Sequence, residues 1–282
     1  MHACLVHDTS HANASAPNHL HIHFMKSALQ SLADKVAYRW RRATFRAYWR
    51  DLSVAGVPMT IAIDDLFAEG VYQSARLWPE LEWALKNVRN ASSVMIDVGA
   101  NQGITTLFYA KSFPDSIVMA VEPHPFNARQ ILKNTRRNIA GNIVLAHCAA
   151  SDHQGELRLS DHSNASAVET EGIRVPVNTL DSLCAEAVGF LKIDVEGAED
   201  AVLRGAKNVI AKHKPVMDIE VHLFMRENRH AFLNDLVLWL STFGYAFDVV
   251  AGYQGRLVVE PTECDWELLS NEHVINLLCR PK

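Results

Sequence analysis

From residue 92 onward, short apolar runs alternate with longer stretches whose apolar positions recur every three or four residues. The runs at 94–98, 117–122, 143–146, 190–195 and 216–221 have the length of strands. The stretches at 101–111, 126–138, 198–210 and 229–242 carry the spacing of one helix face, and Gly244 is placed to end the last of them. Strands that are apolar on both faces and separated by helices predict an α/β fold, a parallel sheet covered on both sides. Later runs at 245–250, 257–259 and 274–279 predict strands that form a hairpin-like edge.

The chain upstream reads differently. Residues 1–24 hold His2, His7, His11, His19, His21 and His23 among Ser, Asn and Ala, and predict a disordered His-rich leader; a metal-scavenging tract is the alternative. Residues 26–50 set seven Lys and Arg against the single Asp34, while Leu29, Leu32, Val36, Trp40, Ala43 and Ala47 form a stripe. This predicts a basic amphipathic helix, either packed on the protein or in peripheral contact with an anionic membrane. A hairpin is expected at 52–63 around Ala55-Gly56, and a helix near 79–88. The expected organisation is a leader at 1–24, an N-terminal extension at 25–90 and a ligand-binding domain at 91–282.

Composition narrows the partners. Of 282 residues 49% are hydrophobic, and the net charge of −5 lacks the basic footprint of a dedicated nucleic-acid binder. Five cysteines with no CxxC spacing argue against a disulfide framework or a zinc knuckle. With no run of about 18 apolar residues and no apolar region at the N-terminus, the expected location is cytoplasmic.

The segment 94–103, VMIDVGANQG, ends an apolar strand in Asp97 and opens a helix through a glycine turn. Ligands of doubly wound sheets bind at such strand ends, and Gly99 and Gly103 are read as letting backbone approach a ligand. Glu122 ends the next strand, where a carboxylate can accept both hydroxyls of a ribose. The dinucleotide fingerprint GxGxxG is not met, because Asn101 and Ile104 stand at its third and sixth positions. Asp97 suits a cationic, phosphate-free ligand such as S-adenosylmethionine. Two rivals stay open: a nicotinamide-linked oxidoreductase on a similar sheet, and a non-enzymatic module docking through 26–50.

Longer blocks carry a family resemblance. IDVGANQG at 96–103, VEPHPFNARQILKN at 121–134, VNTLDSL at 177–183, LKIDVEGAED at 191–200 and KPVMDIEVH at 214–222 resemble the FkbM family of class I methyltransferases, as does the closing INLLCRPK. The resemblance implies a Rossmann-like, mostly parallel seven-stranded sheet with a reversed final strand, and S-adenosylmethionine as methyl donor. It implies that Asp97 and Gly99 line the methionine end, that Asn101 and Gly103 of the same loop also bind the cofactor, that Glu122 holds the ribose, and that Ser151 and Asp152 lie near the adenine. It further implies O-methylation of a small-molecule acceptor, a hydroxyl on a saccharide or polyketide-type metabolite.

Two strands are not apolar throughout. Leu191, Ile193 and Val195 alternate with Lys192, Asp194 and Glu196, and Met217, Ile219 and Val221 alternate with Asp218, Glu220 and His222. Charges on central strands are costly unless paired or used. One reading makes His222 the general base, neutral at its ordinary pKa of ~6.5, with Asp194 orienting the acceptor. A second, less favoured, places a divalent metal on Asp194, Glu220 and His222. A third is structural: Lys192 pairs with the acids, Glu196 and Glu199 cap the next helix, and Asp181 is the N-cap of a short helix.

Overall fold

The computed structural model describes residues 37, 39–41, 43–72, 79–89, 93–160, 167–168, 171–252 and 255–282. It divides into two compact units, 1–46 and 47–282. The predicted leader, 1–24, lies outside the described residues. The basic helix foreseen to residue 50 is shorter. Its described part ends at Thr44, and Arg50 belongs instead to a strand. Among the described residues no helix is long and apolar enough to cross a membrane.

The second unit opens with the hairpin β1 (Tyr48–Val54) and β2 (Val57–Ile63), followed by α1 (Leu66–Val71) and α2 (Pro79–Asn87). Then come β3 (Val94–Val98), α3 (Ile104–Ser112), β4 (Ile117–Val121), α4 (Pro125–Asn138) and β5 (Ile143–Ala146). Four short strands follow: β6 (Ala149–Ala150), β7 (Gly155–Leu159), β8 (Ala167–Val168) and β9 (Ile173–Asn178). The remainder is α5 (Leu180–Leu183), β10 (Val188–Ile193), α6 (Glu199–Arg204), α7 (Lys207–His213), β11 (Val216–Val221), α8 (Arg229–Thr242), β12 (Tyr245–Ala251), β13 (Arg256–Val259), α9 (Glu263–Leu269) and β14 (Ile275–Pro281).

The main sheet has eight strands in the order β13-β12-β14-β11-β10-β3-β4-β5. The run from β11 to β5 is parallel, and β14 is antiparallel to both β11 and β12. This is the Rossmann-like arrangement with its reversed strand, extended at one edge by β13. The late strands correct the hairpin-like edge: only β12 and β13 form a hairpin, and β14 inserts between β11 and β12. The order β6-β9-β7-β8 makes a second, small sheet that the sequence pattern did not reveal.

The predicted helix at 198–210 is two helices, α6 and α7. Gly205 stands at the break, where a Cβ would lie 1.9 Å from the carbonyl oxygen of Ser151. Asp181 does cap a helix, but not its own. Thr179 caps α5, whereas the Asp181 carboxylate accepts from the backbone N–H of Asn208 (3.1 Å) and Val209 (2.9 Å) at the start of α7.

The two faces of the sheet differ in chemistry. On one, Ile96, Leu191, Ile193, Met217, Ile219 and Leu277 join Val202, Val209, Ile210, Leu233, Leu236 and Leu240 of α6–α8 in the principal apolar core. On the other, Asp97, Lys192 and Asp218 lie side by side in register, and the row continues to Leu278 and Asp248. Tyr109 of α3 packs on this face, 4.8 Å from the Phe190 ring, and Trp83 of α2 donates Nε1–H to Asp248 at 2.8 Å.

The hairpin docks through side chains that stand in for a strand. Asn134 and Asn138, one turn apart on α4, accept from Ala62 N–H (2.8 Å) and Thr60 N–H (3.0 Å) of β2. Asn134 also donates to the Gln102 carbonyl at 2.9 Å, so it joins the hairpin to the loop after β3. Asn134→Ala leaves two buried backbone groups without partners and is expected to cost about 1–3 kcal/mol, read as a lowered thermal midpoint.

Candidate active site

The loop from Val98 to Gly103 crosses the ends of β3 and β4. Gly99 N–H and Ala100 N–H both donate to the Val121 carbonyl, and the backbone is left-handed at Gly99, Asn101 and Gly103. Packing alone already requires glycine at two of these positions. A Cβ on Gly99 would stand 1.7 Å from the Asp194 carbonyl oxygen, and one on Gly103 would press on Ile131 at 3.0 Å.

Asp97 is fully buried, and its Oδ2 accepts from the hydroxyls of Thr105 (2.8 Å) and Thr106 (2.6 Å). It therefore braces the first turn of α3 and does not lie open at the pocket surface. Its Oδ1 has no hydrogen-bond partner, nor have Asn101 Oδ1 and both amide atoms of Gln102. Four buried polar atoms without partners in one short loop are unusual, because buried polar groups are nearly always paired.

Glu122 stands where the sequence placed it, at the end of β4. Its carboxylate accepts from Asn101 N–H (2.8 Å), His124 N–H (2.8 Å) and Asn127 Nδ2 (3.3 Å). Burial raises its pKa, these three donors lower it, and the balance sits at about 7. Asn127 was missed, since nothing in its spacing marks it. Ser151 and Asp152 follow β6. Asp152 is paired with Arg204 and His153, both at 3.0 Å, and these hydrogen bonds hold its pKa down at about 2.

The ends of β10 and β11 gather the second group. Lys192 is buried, and its Nζ lies 3.1 Å from Asp194 Oδ2. Burial lowers its pKa, but Asp194, Asp97, Glu220 and Asp218 outweigh that and raise it above the ordinary lysine value. His222 is buried beyond β11, with Nδ1 2.8 Å from Glu199 Oε1. Its Nε2 lies 3.9 Å from both Glu196 and Glu220.

Glu199 is fully buried at the first position of α6 and, unlike the cap expected of it, makes no capping hydrogen bond to that helix; it accepts instead from Gly197 N–H (2.7 Å) and from the Arg226 guanidinium (3.1 Å). Arg226 stacks on Phe232 at 3.9 Å, which fixes the whole cluster. Burial lowers the His222 pKa, yet the Glu199 hydrogen bond and the charges of Glu199, Asp194 and Glu220 push it up to about 9. That rise favours the charged imidazole, against the neutral ring expected from the ordinary histidine value.

Comparison with known proteins places these residues in a wider pattern. The family described as "Methyltransferase FkbM domain" matches residues 97–247, which hold every strand-end carboxylate discussed above. The chain is 28% identical over 200 residues to the 31-O-demethyl-FK506 methyltransferase FkbM of Streptomyces tacrolimicus, covering 56% of this chain and 74% of that protein. It is 26% identical over 144 residues to Methyltransferase 1 of Beauveria bassiana (strain ARSEF 2860), covering 40% of this chain and 58% of that one. Among solved structures, an FkbM methyltransferase from Methylobacillus flagellatus KT aligns with a TM-score of 0.46 and 19% identity, over 70% of this chain and 50% of that chain.

Proposed function

The chain belongs to the FkbM methyltransferase family, and from that premise we propose that it transfers the methyl group of S-adenosylmethionine to a hydroxyl of a saccharide or polyketide-type metabolite. The observation that carries the cofactor reading is the set of unpartnered buried atoms on Asp97, Asn101 and Gln102 beside the Glu122 carboxylate. An ammonium and two ribose hydroxyls supply donors for the oxygens of Asp97, Asn101 and Gln102, and a carboxylate at the same end of the ligand can accept from Gln102 Nε2. Asp97, Asn101 and Gln102 would hold the amino-acid end, and Glu122 the ribose. When bound, S-adenosylmethionine supplies an electrophilic methyl group on a sulfonium.

What remains for the chain is to align an oxygen with that methyl and to manage its proton. Asp194, half-buried and tied to Lys192 through one oxygen, orients the acceptor hydroxyl through the other. His222, oriented by Glu199 through Nδ1, faces the same strand end with Nε2. Phe224 and Met225 are exposed just after His222, and His222 and Phe224 stack edge to face at 5.9 Å. An apolar lip at the acceptor side favours a metabolite with hydrocarbon character over a wholly polar one. The Streptomyces tacrolimicus relative, named for a 31-O-demethyl substrate, supports oxygen as the accepting atom.

Cofactor binding should depend on pH in a defined sense. Glu122 accepts ribose hydroxyls as a carboxylate, and it is half-protonated at about pH 7. Affinity for S-adenosylhomocysteine is therefore expected to rise about tenfold from pH 6 to pH 8, and Glu122→Gln to flatten that profile. Calorimetry at the two pH values checks it. Absence of S-adenosylhomocysteine binding at either pH, or tight binding of NAD instead, would overturn the methyltransferase reading.

A further inference from the structure

We propose that Asp194, Glu220 and His222 form a site for a hard divalent cation, of which Mn2+ is the natural probe. Each residue offers one ligand atom, and all three atoms lie within 4.8 Å of one another. A cation bound at about 2.1 Å from each ligand needs donor separations of about 3 to 4.2 Å. Side-chain rotations of under about 1 Å close that gap without moving β10 or β11.

The imidazole is the second, independent sign. His222 is 4% exposed, and its Nε2 makes no hydrogen bond among the described residues; the nearest acceptors stand 3.9 Å away. The ring is held almost wholly inside the protein while this one nitrogen opens toward the strand-end carboxylates, placed to take a ligand between them. Its other nitrogen is fixed by Glu199, which is itself held by Gly197 N–H and Arg226. A carboxylate on Nδ1 that aims Nε2 outward is the outer-shell arrangement of metal-ligating histidines.

Charge agrees with this. Asp194, Glu196, Glu199 and Glu220 face Lys192 and Arg226 here. Lys192 engages only one oxygen of Asp194, and half-exposed Glu196 stands within reach as a fourth ligand. Two carboxylates and one imidazole suit Mn2+ or Mg2+ better than a thiolate-seeking metal.

The role of the cation rests on the methyl-transfer reading above. Bound to the acceptor oxygen, it lowers the pKa of that hydroxyl, whose proton passes to solvent. The new O–CH3 bond then forms as the S–CH3 bond breaks, and S-adenosylhomocysteine leaves.

The test uses the full-length protein, stripped with EDTA, desalted and titrated with Mn2+, with free Mn2+ read by electron paramagnetic resonance. Uptake of one Mn2+ per chain is expected. Asp194→Asn and Glu220→Gln should each weaken it at least tenfold, and His222→Gln more. The six histidines of residues 1–24 are common to all variants, so the difference isolates the strand-end site. Asp194 is not part of the core, so Asp194→Asn keeps the test valid even if His222→Gln fails to fold. Wild-type protein that takes up no Mn2+, or variants that take up as much as wild type, overturn the proposal. S-adenosylhomocysteine binding, measured on the same samples, separates the two ideas: its loss in wild type counts against the methyltransferase, and missing Mn2+ alone counts against the cation site.

Discussion

Lys192→Met is expected to destabilise the protein by about 3–5 kcal/mol at pH 8, and by much less at pH 5.5. Methionine keeps the length of the stem and removes only the ammonium. That ammonium is buried in a row between Asp97 and Asp218, with Asp194 at 3.1 Å. Without it three carboxyls face one another in a dry setting, which disfavours their charged forms.

The pH dependence has a definite sign. Burial already raises Asp218 to about 7 in the presence of Lys192, and Glu122 is likewise raised to about 7. A carboxyl raised on folding stabilises fully below its unfolded pKa of ~4, and that contribution is lost as pH rises through the folded value. Removing the cation raises Asp218 further and steepens the loss between pH 5 and 8. Urea denaturation at both pH values reads it, and a wild-type midpoint at pH 8 would show that Lys192 is not what compensates the row.

Gly99→Ala should be nearly as damaging. The residue has φ +76°, and its added methyl would meet the Asp194 carbonyl oxygen at 1.7 Å and the carbonyl carbon at 2.8 Å. Neither contact is with a side chain that can rotate away. The ends of β3 and β10 must part, against the Asp194 N–H to Val98 carbonyl hydrogen bond of 3.0 Å that joins them. Left-handed strain of about 1–3 kcal/mol adds to overpacking of about 1–3 kcal/mol. Gly141→Ala is the control, since its methyl meets nothing within 4 Å and should shift stability by under about 0.5 kcal/mol. Equal denaturation midpoints for the two variants would refute the close approach.

The strand-end chemistry was legible because a strand has period two. The alternation at 191–196 and 216–222 puts Lys192, Asp194, Asp218 and Glu220 on one face, and the register sets Lys192 beside Asp218 there. Glu122 was legible as the carboxylate that closes an apolar run, and it directly follows the last residue of β4. What the pattern lacked was everything decided by a distant segment. The two glycines after β3 were visible, but not that Asp194 and Ile131 occupy the space they leave. At the break in the helix at 198–210, the space beside Gly205 is taken by the carbonyl of Ser151, far away in the chain. His222 looked like an ordinary imidazole until Glu199, 23 residues earlier, took its Nδ1. Strand order is likewise absent from periodicity, so β14 gave no sign of its place between β11 and β12.

That place bears on the route by which the chain folds. β12 is synthesised before β14, yet only β14 connects it to the rest of the sheet, pairing on one side with β11 and on the other with β12. A folding chain can therefore zip β12 directly against β11 and shut its late strand out, a kinetic trap built into the topology. The row of charges makes that trap shallow. In the native register Leu278 separates Asp218 from Asp248, and direct pairing that kept the row would set the two carboxylates side by side. Like charges directly opposite on a sheet repel, so the premature pairing is weak and reopens. The acids that make the finished sheet costly to bury thus keep the gap open until its last strand arrives.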